Sequence, residues 1–201
     1  MFKIFEGQDL YDKIGEYDTI LVATNINCTM TQGFQRKVML NYPYVQEKNM
    51  TTKYGDPDKL GSILVCSKED NPTFVLMYVN KGNQRPDLQT DYLSYESLEK
   101  CLHLVNILYK GKTVACTLPG GSKFDGNGNR DKIIAIISKT TPDINLHVYD
   151  YVQLSRREEM KKVRISELKL KEVNLEEYYE AVKKRKEEAE ERLKNNGHAR
   201  Y

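Results

Sequence analysis

Short apolar runs rich in β-branched residues alternate along this chain with stretches of helical period, and this alternation constrains the fold more than any other feature. Such an order is typical of βαβ units packed around a mostly parallel sheet. The six candidate strands are residues 2–5, 19–23, 62–66, 73–79, 113–117 and 146–149. We therefore predict an α/β domain built on one sheet of about six strands.

Three stretches between these strands have helical character. The clearest opens at Ser94, a favourable N-cap, and places apolar residues on one face at Leu98, Cys101, Leu102, Val105 and Leu108. Residues 34–41 predict a short helix that ends at the Tyr42-Pro43 pair. The run 133–137 suits a helix or a strand, and the β/α alternation favours a helix.

Composition and net charge limit the location of the protein and the way it can bind a charged ligand. Of the 201 residues, 39% are apolar, and 31 Lys and Arg against 29 Asp and Glu leave a net charge of +2. Any recognition of phosphate must therefore be local. No apolar run approaches the roughly 20 residues that span a bilayer, and the first residues lack a signal-peptide layout. We expect a cytoplasmic protein without membrane contact.

The four cysteines, at positions 28, 66, 101 and 116, are far apart in the sequence. None forms the close pairs of zinc or dithiol redox sites, so we expect no metal site. Three of them lie in apolar runs, where we expect reduced, buried thiols. We also expect no cofactor.

The composition changes from residue 153 onward, where Lys, Arg and Glu dominate. Asn174 with Glu177 suggests a capped helix over residues 175–195. We divide the chain into a domain of residues 1–152 and a charged helical extension of residues 153–201. That helix is either simply solvated, supported by its own charge pairs, or a surface for a partner or for self-association.

Two loops that follow predicted strands contain glycine and lead into predicted helices. The first loop spans residues 24–33 and the second spans residues 118–130, with glycine at 120, 121, 126 and 128. Glycine brings bare peptide N–H groups close to a ligand, and the start of a helix adds donors, so such loops can hold a diphosphate. The alternative is an ordinary connecting loop. Neither a P-loop nor a G-x-G-x-x-G fingerprint occurs.

Asn25 opens the first loop, and its amide both donates and accepts hydrogen bonds. It can therefore bind the vicinal hydroxyls of a sugar, whereas the alternative is a turn-forming asparagine.

Several segments together resemble a known family. They are residues 18–25, Gly33-Phe34, Tyr42-Pro43, residues 60–63, residues 95–98, the glycine loop at 119–128 and residues 147–149. In order and spacing they resemble macro domains, over about residues 1–152. The likeness is strongest to the small stand-alone branch associated with ADP-ribose-1''-phosphate processing and removal of ADP-ribose from targets.

The resemblance implies a three-layer α/β/α sandwich with a central mixed sheet and a ligand lying across the strand ends. It implies Asn25 at the distal ribose, and Gly33 and Phe34 facing the phosphates. Around the diphosphate it implies Gly120, Gly121, Phe124, Gly126 and Gly128. Asp9 would hold the adenine amino group and Tyr149 would stack on the ring. The alternatives for these two are a helix-capping Asp9 and a core Tyr149.

Two departures from the family pattern bear on this assignment. Residues 29–32, Thr-Met-Thr-Gln, stand where family members commonly have consecutive glycines, and an extra residue separates Gly7 from Asp9, so Gln8 is a competing match.

Three functions fit the resemblance. The first is a hydrolase acting at the distal ribose, with Asp125 as general base or nucleophile and Lys81 as a weaker partner. This hydrolase would either release ADP-ribose from a protein or nucleic-acid attachment or remove a terminal phosphate from ADP-ribose. The alternative interpretation of both residues is a solvated loop charge. The second function is a non-catalytic ADP-ribose-binding module whose helical extension binds a partner. The third is an interaction protein whose ligand site has decayed.

Overall fold

The computed structural model describes residues 2–82, 93–120 and 128–151, and within them six strands form one mixed sheet. The strands are β1 (Phe2–Glu6), β2 (Thr19–Asn25), β3 (Ile63–Cys66), β4 (Thr73–Asn80), β5 (Thr113–Thr117) and β6 (Asn145–Asp150). Each of the six predicted strands is present, within two residues at either end.

The strand order is β1-β6-β5-β2-β4-β3, and only β3 runs antiparallel to its neighbour, β4. The other five strands are parallel, so their carboxyl ends meet at one edge of the sheet. Because β2 lies between β5 and β4, the loops that leave these three strands begin side by side. This edge is where ligands bind in open α/β sheets.

Helices cover both faces of the sheet and make three layers. In the described part of the chain they are α1 (Gly33–Asn41), α2 (Pro43–Met50), α3 (Tyr95–Leu108) and α4 (Arg130–Thr140). One core lies between the sheet and α3 and α4, around Leu98, Leu102 and Ile133. The other lies between the sheet and α1 and α2, around Val38 and Val45. The predicted α/β/α sandwich with a mixed sheet is therefore confirmed.

Local signals explain most helix boundaries. Ser94 caps α3 by accepting a hydrogen bond from the Ser97 amide, and the 133–137 run lies within α4. Pro43 ends α1, but it is also the first residue of α2, which the sequence analysis did not predict. Proline suits this first helical position, since the amide it lacks has no partner within a helix anyway.

The helical extension predicted for residues 153–201 lies outside the described residues. Within the described part of the chain, no helix combines the length and apolar character needed to cross a bilayer.

Candidate functional site

The candidate site is formed where the first and second loops leave the neighbouring strands β2 and β5. The two strands are paired through Ile20 with Ala115 and Leu21 with Cys116. Main-chain hydrogen bonds join the first loop to the end of β4 and to the segment that follows α2. Ile26 N donates to Asn80 O at 3.1 Å, and Gly55 N donates to Ile26 O at 2.9 Å. The first loop is thus held by the end of β4 and by Gly55, and it begins beside β5, the strand from which the second loop leaves.

Asn25 folds its side chain back onto the first loop. Its Nδ2 donates to the main-chain oxygen and to Oγ1 of Thr29, both at 2.9 Å. Its Oδ1 accepts from Thr29 N at 3.3 Å and from Thr29 Oγ1 at 3.1 Å. We call these four contacts the Asn25–Thr29 clasp. The clasp uses both amide donors, so a sugar hydroxyl that accepts from Asn25 must displace Thr29.

Gly33 begins α1 with a φ of +52°, in the left-handed region that favours glycine. The preceding residue, Gln32, makes no side-chain capping bond to the helix. An uncapped helix start offers main-chain N–H groups and a partial positive charge to an anion. Phe34 is half-buried and packs against the core beneath α1, so its ring anchors the helix.

The two ends of the second loop are tied together, because Gly128 N donates to Gly120 O at 2.9 Å. Both glycines pack against the buried side chain of Leu93. A Cβ atom would lie 2.9 Å from Leu93 Cδ2 at Gly120 and 2.7 Å from it at Gly128. Gly120 also has a φ of +65°. These two glycines are required for close packing at the base of the loop, whatever the loop binds.

Asp9 caps the short 3₁₀ helix Leu10–Glu16. Its Oδ1 accepts from Tyr11 N at 3.0 Å, and its Oδ2 forms an ion pair with Lys37 of α1. The Lys37 ammonium also lies 5.0 Å from the centre of the Tyr11 ring. The alternative interpretation of Asp9 as a helix cap therefore describes its present contacts, and adenine would have to share this carboxylate with Lys37.

Tyr149 lies in the core beside β1. Its ring stacks on Phe5 with centroids 4.8 Å apart, and its hydroxyl is 2.7 Å from the Tyr17 hydroxyl. Only 2% of the residue is exposed. The alternative interpretation of Tyr149 as a core residue agrees with this burial, and stacking on adenine would require the ring to leave its packing.

Solved structures of known proteins have the same arrangement of sheet and helices. A Bacteroides thetaiotaomicron protein of unknown function matches with a TM-score of 0.60 and 17% identity, over 74% of this chain and 98% of that one. The macrodomain of Thermus aquaticus DarG matches with a TM-score of 0.54 and 13% identity, over 75% of this chain and 98% of that one. This chain has the macrodomain fold. An Oceanobacillus iheyensis macrodomain variant with ADPR (ADP-ribose) also matches, with a TM-score of 0.52 and 16% identity, over 82% and 94% of the two chains.

Among these comparisons, only the solved structures show the macrodomain fold. No family model and no curated protein matches the sequence.

The remaining candidate residues of this macrodomain fold differ in how far they can be located. Lys81 is exposed and follows Asn80 at the carboxyl end of β4. The next residue, Gly82, lies against Asn27 of the first loop, since a Cβ there would be 3.0 Å from Asn27 Nδ2. Lys81 therefore lies close to the first loop. Gly121, Phe124, Asp125 and Gly126 lie outside the described residues.

Arg130 was not predicted as a site residue, and it joins three elements at the carboxyl edge of the sheet. From the first turn of α4 it donates to Asp150 Oδ2 and to Glu6 Oε1, both at 2.7 Å. The hydrogen bond to Asp150 raises the pKa of Arg130 above its ordinary value. A cation at the start of a helix is unfavourable unless it is paired. The position of Arg130 at the start of α4 could therefore have indicated that a carboxylate lies close to it.

Proposed function

We propose that this chain binds ADP-ribose or a derivative of it in the cleft between the first and second loops. The observation that carries the proposal is the pairing of β2 with β5, which brings two glycine-containing loops together at the carboxyl edge of a macrodomain-type sheet. The ADPR held by the Oceanobacillus macrodomain supports the same ligand class.

The charge of the chain agrees with recognition through the main chain. A net charge of +2 provides no strong overall attraction for a diphosphate. The uncapped start of α1 and the glycine backbone of the second loop can supply N–H donors without Lys or Arg. The diphosphate would lie between these two groups of donors, and the distal ribose would lie near Asn25.

The Asn25–Thr29 clasp provides a matched pair of variants for this placement. Asn25→Ala removes both the clasp and the proposed ribose contact, whereas Thr29→Ala removes only the hydroxyl part of the clasp. We expect Asn25→Ala to weaken ADP-ribose binding at least about tenfold, or 1.4 kcal/mol, and Thr29→Ala to weaken it less than about threefold. Calorimetric titration measures both. Equal losses would mean that Asn25 acts only through the shape of the loop.

We further propose that the protein hydrolyses its ligand at the distal ribose, releasing ADP-ribose from a target or removing a 1''-phosphate. Asp125 would be the general base or nucleophile, and Lys81 an assisting residue. The second loop supports this role, because it begins beside the first loop and would carry the Asp125 carboxylate towards the ribose.

A turnover assay distinguishes the hydrolase from the binding module. The full chain is incubated separately with ADP-ribose-1''-phosphate and with an ADP-ribosylated protein, and release of phosphate or of ADP-ribose is measured. We expect Asp125→Asn to abolish turnover while binding persists. Asp131→Asn, in the first turn of α4, is the control and should retain activity. Binding without turnover in the wild-type protein would favour the module whose extension contacts a partner.

A further inference from the structure

Cys28, in the first loop, contacts a lysine that is distant in sequence. The Lys59 ammonium donates to Cys28 Sγ at 3.0 Å. The Thr52 hydroxyl completes a triangle, at 3.2 Å from the sulfur and 3.1 Å from the lysine nitrogen. A thiol and an amine are therefore held in direct contact.

The surrounding structure fixes this contact from both sides. Cys28 adopts a left-handed φ of +53°, which is unusual for a residue with a side chain. Lys59 is the last residue of the short 3₁₀ helix Pro57–Lys59, and its ammonium lies 4.8 Å from the centre of the Tyr78 ring. Lys59 is half-buried, whereas Cys28 is buried, with 2% of the residue exposed.

All four cysteines are buried, but the other three have apolar neighbours. Burial raises the pKa of the Cys66 thiol to about 11 and the pKa values of the Cys101 and Cys116 thiols to about 12. All three belong to the apolar cores, whereas Cys28 belongs to neither. A neighbouring lysine is one of the features that distinguish reactive cysteines from structural ones. The chain thus contains three internal controls for Cys28.

We propose that Cys28 is an oxidative modification site and that Lys59 captures the oxidised sulfur as a covalent cross-link. Hydrogen peroxide oxidises the Cys28 thiol to a sulfenic acid and is itself reduced to water. The Lys59 ammonium gives one proton to bulk water, and the resulting amine attacks the sulfur. An S–N bond forms, the S–O bond breaks, and the hydroxyl leaves as water with a proton from the nitrogen. Sulfenic acids undergo the same condensation with backbone nitrogen to give sulfenamides.

The cross-link would join the first loop to the segment that precedes β3. The two residues are 31 positions apart, so the bond closes a sizeable loop of the unfolded chain. Closing such a loop restricts the unfolded state, and we expect the Tm to rise by about 5 °C. The proposal is independent of ADP-ribose binding.

Peptide mapping of the peroxide-treated full chain tests the cross-link. Trypsin cannot cleave at a modified Lys59, so peptide 14–36 should be recovered joined to an uncleaved peptide 54–68. The joined species should be about 2 Da lighter than the sum of its parts, and a thiol reductant should separate it. Cleavage at Lys59 within a joined species would indicate a disulfide between Cys28 and Cys66 instead, and would overturn the proposal.

Two variants make the assignment specific. Lys59→Arg retains a cation but cannot condense, so its Cys28 sulfenic acid should be trapped by a 1,3-dione and no cross-link should form. Lys53→Arg alters an exposed lysine nearby that pairs with Asp56, and it should cross-link like the wild-type protein. The proposal fails if Lys59→Arg still cross-links, if the wild-type protein yields only dione adducts, or if Cys66, Cys101 or Cys116 is oxidised before Cys28.

Discussion

Tyr149 is enclosed by aromatic side chains, so we expect a substitution there to affect the stability of the protein more than its ligand affinity. Phe5 stacks on its ring, and Tyr17 meets its hydroxyl. Tyr17 also lies 2.8 Å from His147 Nδ1, so these residues form one polar-aromatic group beneath the β1 and β6 edge of the sheet. Burial of this group raises the pKa of Tyr17 and lowers the pKa of His147.

We expect Tyr149→Leu to lower the free energy of unfolding by about 1–3 kcal/mol, because it loses ring packing and leaves Tyr17 without one partner. ADP-ribose affinity should stay within about threefold of wild type. Urea denaturation and calorimetry provide the two measurements, with the more exposed Tyr151→Leu as control. A large loss of affinity with unchanged stability would instead support stacking on adenine.

His147 predicts a pH dependence of stability. Burial, and to a smaller extent the charge of Lys3, lowers the pKa of His147 in the folded protein. The His147 imidazole therefore binds a proton more readily in the unfolded chain than in the folded protein. The His147 contribution is complete above about pH 6.5 and is lost as the pH falls below that value.

The urea midpoint of the wild-type protein should consequently fall more between about pH 7 and pH 5 than that of His147→Gln. His103→Gln, exposed on α3, should behave like the wild-type protein. Equal pH dependence in all three proteins would show that His147 does not contribute.

At the scale of elements, the base of the second loop depends on two glycines packed against Leu93. Gly120 combines a positive φ with a close approach, whereas Gly111 has a φ of +75° and open space where its Cβ would be. Substitutions at Gly111 and Gly120 therefore separate the cost of backbone strain from the cost of a steric clash.

We expect Gly111→Ala to cost about 1–2 kcal/mol of stability from strain alone. Gly120→Ala should cost about 2–4 kcal/mol, because overpacking against Leu93 adds to the strain. Chemical denaturation measures both values. Equal costs would contradict the clash, whereas partial recovery of Gly120→Ala by Leu93→Ala would support it.

The elements themselves could largely be predicted from sequence. β-branched runs indicated the strands, and Ser94 indicated the start of α3, because strand formation and capping are local properties. Helix α2 was missed because a proline can both end one helix and begin the next. The Asn25–Thr29 clasp and the pairing of Tyr17 with Tyr149, 132 residues apart, depend on tertiary packing, which no local pattern contains.

For the whole molecule, the sheet determines where chemistry can occur. Five strands are parallel, so the loops after β2, β4 and β5 converge at one edge, where Arg130 joins β1 and β6 to α4. Because the net charge is nearly balanced, the proposed diphosphate site at this edge would rely on main-chain donors. The affinity for the proposed ligand should therefore depend on its diphosphate as much as on its base or its sugar.

Calorimetric titration of the wild-type full chain with ADP-ribose, and separately with adenosine, tests this claim most directly. We predict saturable binding of one ADP-ribose per chain and at least about hundredfold weaker binding of adenosine, which lacks the diphosphate. The account would be contradicted by a folded protein that gives no binding heat with ADP-ribose up to about 1 mM, or that binds the two ligands equally well.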